Sequence, residues 1–291
     1  MLSKTIGILG DLPTGFSYDA AKEIEEATSV PWQENSYSEY TSKGYEAFSL
    51  FSKSGDSTDT IIDDCSPKPT PELDKLPTIR SFLEHCNLSL MWVRLNKLAP
   101  GTCFWEHRDY SELSQNEKVR LHVPISTSPD SYMIFQDTSV HMKPDAMWLL
   151  RPDYDAHGFI NGHCERIHLI IDAYLNNELS NQIDRVYLPE ESLTLLPEAT
   201  PDIYDQLLSL AAKLVDENRE QDAEELLLKT FLQYNQPLGF SYDLVISLYK
   251  KYSRSEKVQE WMSRKYRFLY QEELKNVKKK SEQPDYATRT Y

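Results

Sequence analysis

The chain has 291 residues, of which 40% are hydrophobic and 26% are charged, a balance typical of a folded globular protein and not of a disordered one. Its formal net charge of −15 disfavours contact with nucleic-acid phosphates, and no apolar run approaches the roughly 18 residues that span a bilayer. We therefore predict a cytoplasmic protein that binds neither nucleic acid nor membrane, with its four cysteines reduced.

The N-terminal part mixes short extended and helical segments. Residues 4–9 have the apolar content of a strand, residues 19–27 have the spacing of a helix, and Pro77 stands where the first turn of a second helix tolerates proline. An insert rich in Ser, Asp and Tyr, residues 33–65, lies between the two helices. Its length suits either a lid over a small substrate or the rim of a site for a larger one.

Between residues 89 and 172 the pattern changes to short apolar runs separated by turn-forming clusters, which predicts an all-β sandwich or barrel. From residue 201 onwards, apolar residues recur with the 3.6-residue period of amphipathic helices. Residues 190–201 contain two prolines and read as a linker. We therefore predict two domains, residues 1–189 and residues 190–291.

Two residues early in the β-rich part predict a metal site. His107 and Asp109 are two residues apart in an extended segment, so the two-residue period of a strand directs both side chains to one face. His157 follows 50 residues after His107 in a turn-rich stretch. Two imidazoles and one carboxylate form the facial triad of non-haem iron(II) oxygenases, which leaves coordination positions open for a cosubstrate and O₂.

Arginines in the same segment predict an anion beside the metal. Arg166 lies nine residues after His157, and its planar guanidinium matches one carboxylate of a dicarboxylate that chelates iron at its other end. Arg120 shares a strand face with His122, and Arg94 lies in an apolar strand. Because buried arginines need a partner, a structural ion pair and ligand binding are equally open for Arg94 and Arg120.

Further residues of this segment have a familiar order and spacing. The motifs are Arg94, His107-Arg108-Asp109-Tyr110, Glu112-Leu113, Arg120-Leu121-His122, His141-Met142, Trp148 with Leu150, His157, and Arg166-Ile167-His168 leading into Asp172. Together they resemble the aspartyl/asparaginyl β-hydroxylase superfamily of Fe(II)- and 2-oxoglutarate-dependent oxygenases, and within it the proline cis-4-hydroxylases. The resemblance covers nearly the whole chain. It implies a β-rich catalytic domain built on a double-stranded β-helix (jelly roll, cupin-like) at about residues 89–175, with flanking helices and a C-terminal all-α module.

The resemblance also implies roles for single residues. The iron ligands would be His107, Asp109 and His157, although spacing leaves His163 open in place of His157. The residues implied for binding 2-oxoglutarate are Arg166, His122 and His168. The residues implied for substrate contact are Arg94, Arg120, Tyr110 and Trp148. Trp105 is a further candidate for the wall of the site, and plain core packing is the alternative for all three aromatic residues.

The implied reaction is hydroxylation of a free amino acid, in which 2-oxoglutarate and O₂ are consumed, succinate and CO₂ are formed, and ascorbate stimulates turnover. A hydroxylase of a residue within a peptide, or of a carrier-bound amino acid, is the first alternative. The second is a non-enzymatic metal-binding β-barrel whose helical module binds a partner protein. The expected partner is a small-molecule amino acid, and a homodimer is compatible with the sequence.

Overall fold

Two antiparallel β-sheets form the centre of the molecule. The computed structural model describes residues 5–27, 29–34, 39–109 and 117–270. The strands of this described chain are β1 (Ile6–Asp11), β2 (Gln33–Glu34), β3 (Tyr45–Ser52), β4 (Lys68–Pro69), β5 (Ser89–Leu98), β6 (Cys103–His107), β7 (Lys118–Ser126), β8 (Tyr132–Ile134), β9 (Thr138–Val140), β10 (Ala146–Leu150), β11 (His157–Ile160), β12 (Arg166–Tyr174) and β13 (Leu193–Leu195).

Helices cover the outer faces of the sheets. None of the described helices is long and apolar enough to cross a membrane. The helices are α1 (Phe16–Glu26), α2 (Pro77–His85), α3 (Asn177–Ile183), α4 (Pro201–Asp216), α5 (Glu220–Leu228), α6 (Phe240–Lys251) and α7 (Ser255–Leu269), and short 3₁₀ turns span Pro71–Lys75, Glu190–Ser192 and Lys229–Leu232.

The strand order is that of a double-stranded β-helix. The larger sheet has the order β1-β10-β7-β12-β5-β3-β2, with β4 paired to β3, and the smaller sheet has the order β13-β9-β8-β11-β6. From β5 to β12 the chain passes back and forth between the sheets, so that β5, β7, β10 and β12 lie in the larger one and β6, β8, β9 and β11 in the smaller. Eight strands in two facing sheets with this connectivity form a jelly roll. The predicted fold class is confirmed.

Strand alternation gives the larger sheet an apolar outer face and a polar inner face. On β7, Leu121 and Val123 belong to the apolar core beneath α1 and α2, whereas Arg120 and His122 line the space between the sheets. Residues i and i+2 of a strand share a face, so β7 supplies apolar residues to the core on one face and polar residues to the cavity on the other. The apolar side fixes the sheet against the helices and thereby fixes where the polar side chains stand.

The C-terminal helices pack on the outer face of the smaller sheet. Trp105 of β6 and Ala156, which precedes β11, lie in one apolar cluster with buried residues of α4 to α7. The ring of Phe231 is 1% exposed and packs so closely on Gly158 that a Cβ there would lie 2.9 Å from it. Sheet and helices therefore share a core. The division into domains between residues 189 and 190 stays a prediction.

Two segments differ from the sequence predictions. α1 begins at Phe16 rather than at residue 19, because Gly15 takes a left-handed conformation (φ 81°) that turns the chain into the helix. The expected linker contains β13, whose residues Leu193–Leu195 pair with Thr138–Val140 at the edge of the smaller sheet. Leucine and threonine suit a short edge strand, so this interval is part of the sheet.

We expect Phe231→Ala to lower the free energy of unfolding by about 3–5 kcal/mol, because it removes a buried ring from a core that sheet and helices share. Urea unfolding followed by near- and far-ultraviolet circular dichroism measures the change. Leu210→Ala is the control, because the Leu210 side chain on α4 is 47% exposed. It should lower the free energy of unfolding by less than about 1 kcal/mol. Two separate transitions, only one of them shifted by Phe231→Ala, would contradict the shared core.

Candidate active site

The pairing of β6 with β11 brings His107 and His157 together. His107 ends β6, His157 begins β11, and the two residues lie directly opposite each other in the antiparallel pair, with ring centroids 4.5 Å apart. Asp109 lies just beyond β6, where its N–H donates to Pro152 O at 3.1 Å. The ligand atoms of His107, Asp109 and His157 all lie within 4.8 Å of one another, a grouping able to hold a metal ion.

A β-bulge in β6 sets the direction of His107. The register with β11 shifts by one residue between Phe104 and His107, so two successive residues, Trp105 and Glu106, both contact the C-terminal helices. Phe104 and His107 both line the space between the sheets. A regular strand would place Trp105 on the same face as His107. The prediction of Trp105 as a wall residue of the site is therefore wrong, and its core-packing alternative is correct.

Burial keeps both histidines neutral, and hydrogen bonds to the backbone fix their tautomers. His107 Nδ1 lies 2.7 Å from Trp105 O and His157 Nδ1 lies 3.3 Å from Asp155 O, so each Nδ1–H donates to a backbone carbonyl and Nε2 remains for a metal. Burial lowers the pKa of His107. Burial, followed by the charge of His107, lowers the pKa of His157 to about 3. The neutral imidazole is the form that binds metals.

Asp109 stays ionised because the guanidinium of Arg120 lies against it. Burial raises the pKa of its carboxyl, but the charge of Arg120 is the main effect that outweighs burial and holds the pKa well below its usual range. Arg120 donates to Oδ2, and Oδ1 lies 3.5 Å from His107 Nε2. One ionised carboxylate beside two neutral imidazoles is the donor set of non-haem iron(II) sites. The three residues fit the metal that the sequence implies.

Asp172 pairs with both arginines that are predicted to contact the substrate. Its side chain is fully buried, Arg94 donates to Oδ2 at 2.5 Å, and Arg120 Nε donates to Oδ1 at 2.8 Å. With the Arg120–Asp109 pair, a row of alternating charges runs from Arg94 to the metal group. Buried charges of this kind persist when each has a partner. Of the two alternatives left open by the sequence, the structural ion pair is present, and substrate contact stays a prediction.

Arg166 differs from those arginines. It is 4% exposed, donates to His168 Nδ1 at 2.6 Å and stacks 4.1 Å from the ring centroid of Phe159. Within the described chain no carboxylate pairs with it, and burial lowers its pKa to about 9. A buried guanidinium of this kind is costly unless a ligand supplies the anion. The distal carboxylate of 2-oxoglutarate fits this position.

His122 and His168 lie beside Arg166. Because arginine can only donate, His168 Nδ1 accepts and carries no proton, and His122 Nδ1 lies 3.4 Å from the same atom. Burial lowers the pKa of both rings well below the usual range. Each ring also has a buried Nε2 with no hydrogen-bond partner. His122 lines the cavity between the sheets, so its Nε2 fits a polar ligand there, whereas His168 is not among the lining residues. Binding of 2-oxoglutarate by the two histidines stays a prediction.

A cavity of about 410 Å³ joins the metal group to Arg166. This volume lies near the lower end of the roughly 300–1,000 Å³ of small-molecule sites. The lining residues are Glu39, Tyr40, Tyr45, Ile62, Trp92, Arg94, Asn96, Leu98, Phe104, His107, Arg108, Asp109, Arg120, His122, Met133, Leu150, His157, Phe159, Arg166, Ile170, Arg267 and Phe268.

Among the lining residues that sequence reasoning did not find, four lie together at the solvent side of the cavity. Glu39 and Tyr40 come from the insert, and Arg267 and Phe268 come from α7. Glu39 pairs with Arg267 at 2.6 Å, while Tyr40 stacks 4.4 Å from His107 and packs edge-on against Phe268 at 5.6 Å. The sequence left a lid and a rim open for the insert, but the pattern of an amphipathic helix does not indicate which of its residues reaches a distant site.

Two predicted site residues lie away from the cavity, and a third cannot be placed. Trp148 is fully buried in the core between the sheets, its Nε1 donates to Lys143 O at 3.0 Å, and it does not line the cavity, so its predicted substrate contact is wrong. His163 is exposed and pairs with Asp130 at 2.8 Å, away from the metal group. Tyr110 lies outside the described residues.

Comparison with known proteins agrees with this geometry. The family described as Aspartyl/Asparaginyl beta-hydroxylase matches residues 17–175, more than half of the chain. The chain is 22% identical over 249 residues to L-proline cis-3-hydroxylase 2 of Streptomyces sp, covering 79% of this chain and 83% of that protein. It is 23% identical over 248 residues to L-proline cis-3-hydroxylase 1 of Streptomyces sp, with the same coverage.

Among solved structures, the chain is similar to an oxidoreductase of the 2OG-Fe(II) oxygenase family from Burkholderia pseudomallei. The TM-score is 0.40 at 7% sequence identity, and the similarity covers 57% of this chain and 84% of that one. The strand order described above, rather than this similarity, carries the fold assignment.

We expect His157→Ala to weaken Fe(II) or Co(II) binding by more than about 100-fold, because it removes one of three proposed ligands. Even mutation of a residue that only hydrogen-bonds to a metal ligand lowers metal affinity by about 10–100-fold. Anaerobic titration with either metal measures the affinity. His163→Ala is the matched control and should bind metal like the wild type. The reverse result, with His163 required and His157 dispensable, would contradict the ligand set.

Proposed function

Since the chain belongs to the aspartyl/asparaginyl β-hydroxylase family, we propose that it hydroxylates a C–H bond of a free amino acid related to proline. It is an Fe(II)- and 2-oxoglutarate-dependent dioxygenase, which sets aside the non-enzymatic alternative. In the proposal His107, Asp109 and His157 hold the iron, and Arg166 binds the distal carboxylate of 2-oxoglutarate.

The observation that carries the proposal is the cavity. A metal-binding group and a guanidinium without a carboxylate partner line the same space of about 410 Å³. This volume suits a dicarboxylate together with a molecule of amino-acid size, and it is too small for a folded polypeptide. The two curated relatives are named as hydroxylases of L-proline, a molecule of this size.

Bound iron and 2-oxoglutarate supply the oxidising chemistry, in which O₂ is consumed, 2-oxoglutarate becomes succinate and CO₂, and one oxygen atom enters the C–H bond. The residues of the chain hold and orient the reactants. His107, Asp109 and His157 would hold the iron through two imidazole nitrogens and one carboxylate oxygen. Arg166, oriented by its hydrogen bond to His168, holds a planar carboxylate with its fork of N–H groups.

Other residues keep this arrangement in place. Arg120, itself held by Asp172, fixes the carboxylate of Asp109 through its hydrogen bond. Tyr40 and Phe268 place aromatic surface at the solvent side of the cavity, which restricts the access of water to the reacting centre. Arg94 and Arg120 remain proposed substrate neighbours by position, because both line the cavity.

The carbon that receives the hydroxyl group is a finer part of the proposal. The motifs resemble enzymes that act at carbon 4 of proline, whereas both curated relatives are named for carbon 3. The same set of residues can direct either outcome, because turning the bound ring by one carbon exchanges the C–H bond that faces the metal. We propose a cis-hydroxylated proline, or a close homologue of it, as the product.

We expect succinate formation by the protein with Fe(II), 2-oxoglutarate, ascorbate and O₂ to be stimulated by one or a few free amino acids, L-proline and its homologues foremost. Mass spectrometry should find a product heavier by one oxygen atom, and nuclear magnetic resonance locates the hydroxyl group. Succinate that no free amino acid stimulates, but that a peptide or a carrier-bound amino acid does, would refute the free amino acid and favour the first alternative.

We expect Arg166→Gln to raise the KM for 2-oxoglutarate by about 10–100-fold, because it removes a charge-assisted pair of about 1.5–3 kcal/mol. The matched comparison is 2-oxobutyrate, which lacks the distal carboxylate. Assays of CO₂ release, which is common to both 2-oxo acids, should show that the wild type strongly prefers 2-oxoglutarate, whereas the variant should lose most of that preference. An unchanged preference would remove Arg166 from the cosubstrate site.

A further inference from the structure

The charges around the cavity leave two guanidinium groups without a carboxylate, and 2-oxoglutarate accounts for one of them. Arg94 and Arg120 pair with Asp172, and Arg267 pairs with Glu39. Within the described chain, the remaining two have no carboxylate partner. The five arginines of the lining are Arg94, Arg108, Arg120, Arg166 and Arg267.

Arg108 is the second of the two, and it stands next to the reacting centre. It lies between His107 and Asp109, and its N–H donates to Phe268 O at 2.9 Å, which ties its backbone to α7 at the edge of the cavity. Its Nε is buried and has no hydrogen-bond partner among the described residues. A buried N–H group of a charged side chain costs free energy until an acceptor fills the position beside it.

We propose that Arg108 binds the carboxylate of the amino acid substrate. The inference rests on the proposed function, because a free α-carboxylate is the group that distinguishes a free amino acid from a residue inside a peptide. A guanidinium fork receives both oxygens of a carboxylate. Because Arg108 is flanked by two proposed metal ligands, a substrate held there lies beside the metal, and Arg166 remains for the cosubstrate. Arg108 thus selects free amino acids against peptides.

L-Proline and L-prolinamide, which lacks the carboxylate, are the probes. Calorimetric titration into protein loaded with Co(II) and 2-oxoglutarate under argon measures their dissociation constants. We expect the wild type to bind L-proline at least about 10-fold more tightly than L-prolinamide. Arg108→Gln should weaken L-proline binding by about 10–100-fold and leave L-prolinamide and 2-oxoglutarate affinities within about twofold of wild type. Arg108→Lys, which keeps the charge without the fork, should lie between.

Arg151→Gln is the matched control. Arg151 also has a buried Nε without a hydrogen-bond partner, but its guanidinium stacks on Tyr154 at 3.9 Å and does not line the cavity. This variant should bind both probes like the wild type. If the amino acid screen identifies another substrate, that amino acid and its amide replace the pair of probes.

Arg108→Gln protein that binds L-proline like the wild type would overturn the assignment of Arg108 and leave the proposed function in place. Equal weakening of L-proline, L-prolinamide and 2-oxoglutarate would also overturn it, because that result indicates a disturbed metal segment rather than a lost carboxylate contact. A wild-type protein that binds no free amino acid would overturn both the assignment and the proposed function.

Discussion

The site depends on the register between β6 and β11, since this pairing sets His107 opposite His157 across 50 residues of chain. Side chains alternate along a strand, so a slip of one residue would turn one histidine to the outer face and remove it from the metal. Gly158 fixes the register from outside the barrel: a Cβ there would lie 2.8 Å from Phe104 O and 2.9 Å from the ring of Phe231. Packing beneath the helices therefore maintains the ligand geometry.

Local charge, rather than the charge of the whole chain, governs what the cavity binds. A net charge of −15 would repel a dicarboxylate at long range, but ions screen such fields within about 8 Å at physiological ionic strength. Inside the cavity, Asp172 and Asp109 together balance the charges of Arg94 and Arg120. Among the described lining residues, Arg108 and Arg166 have no carboxylate partner, and they are the two arginines proposed to bind the carboxylates of the ligands.

The sequence predicted the metal group and the strand faces because both follow from local spacing. The alternation of side chains along a strand was enough to pair His107 with Asp109 and Arg120 with His122. His157 was added because two histidines and one carboxylate complete the facial triad. Strand alternation alone would give Trp105 the same face as His107, but a one-residue bulge breaks that alternation, and a bulge cannot be recognised in hydrophobic patterning. Arg267 could not be found at all, because only tertiary packing carries α7 to the cavity.

The C-terminal helices are hydrogen-bonded to the segment that carries two of the proposed metal ligands. The carboxylate of Glu106, 1% exposed, accepts from Gly239 N at 3.0 Å at the start of α6, and Glu106 O accepts from Tyr242 at 2.7 Å. Phe268 O receives the N–H of Arg108 at 2.9 Å. The residues just before and just after His107 are thus hydrogen-bonded to the helices, so the segment that carries two proposed ligands is held from both sides. A buried carboxylate without these donors would be costly, and the helices are therefore part of what keeps the first ligand in position.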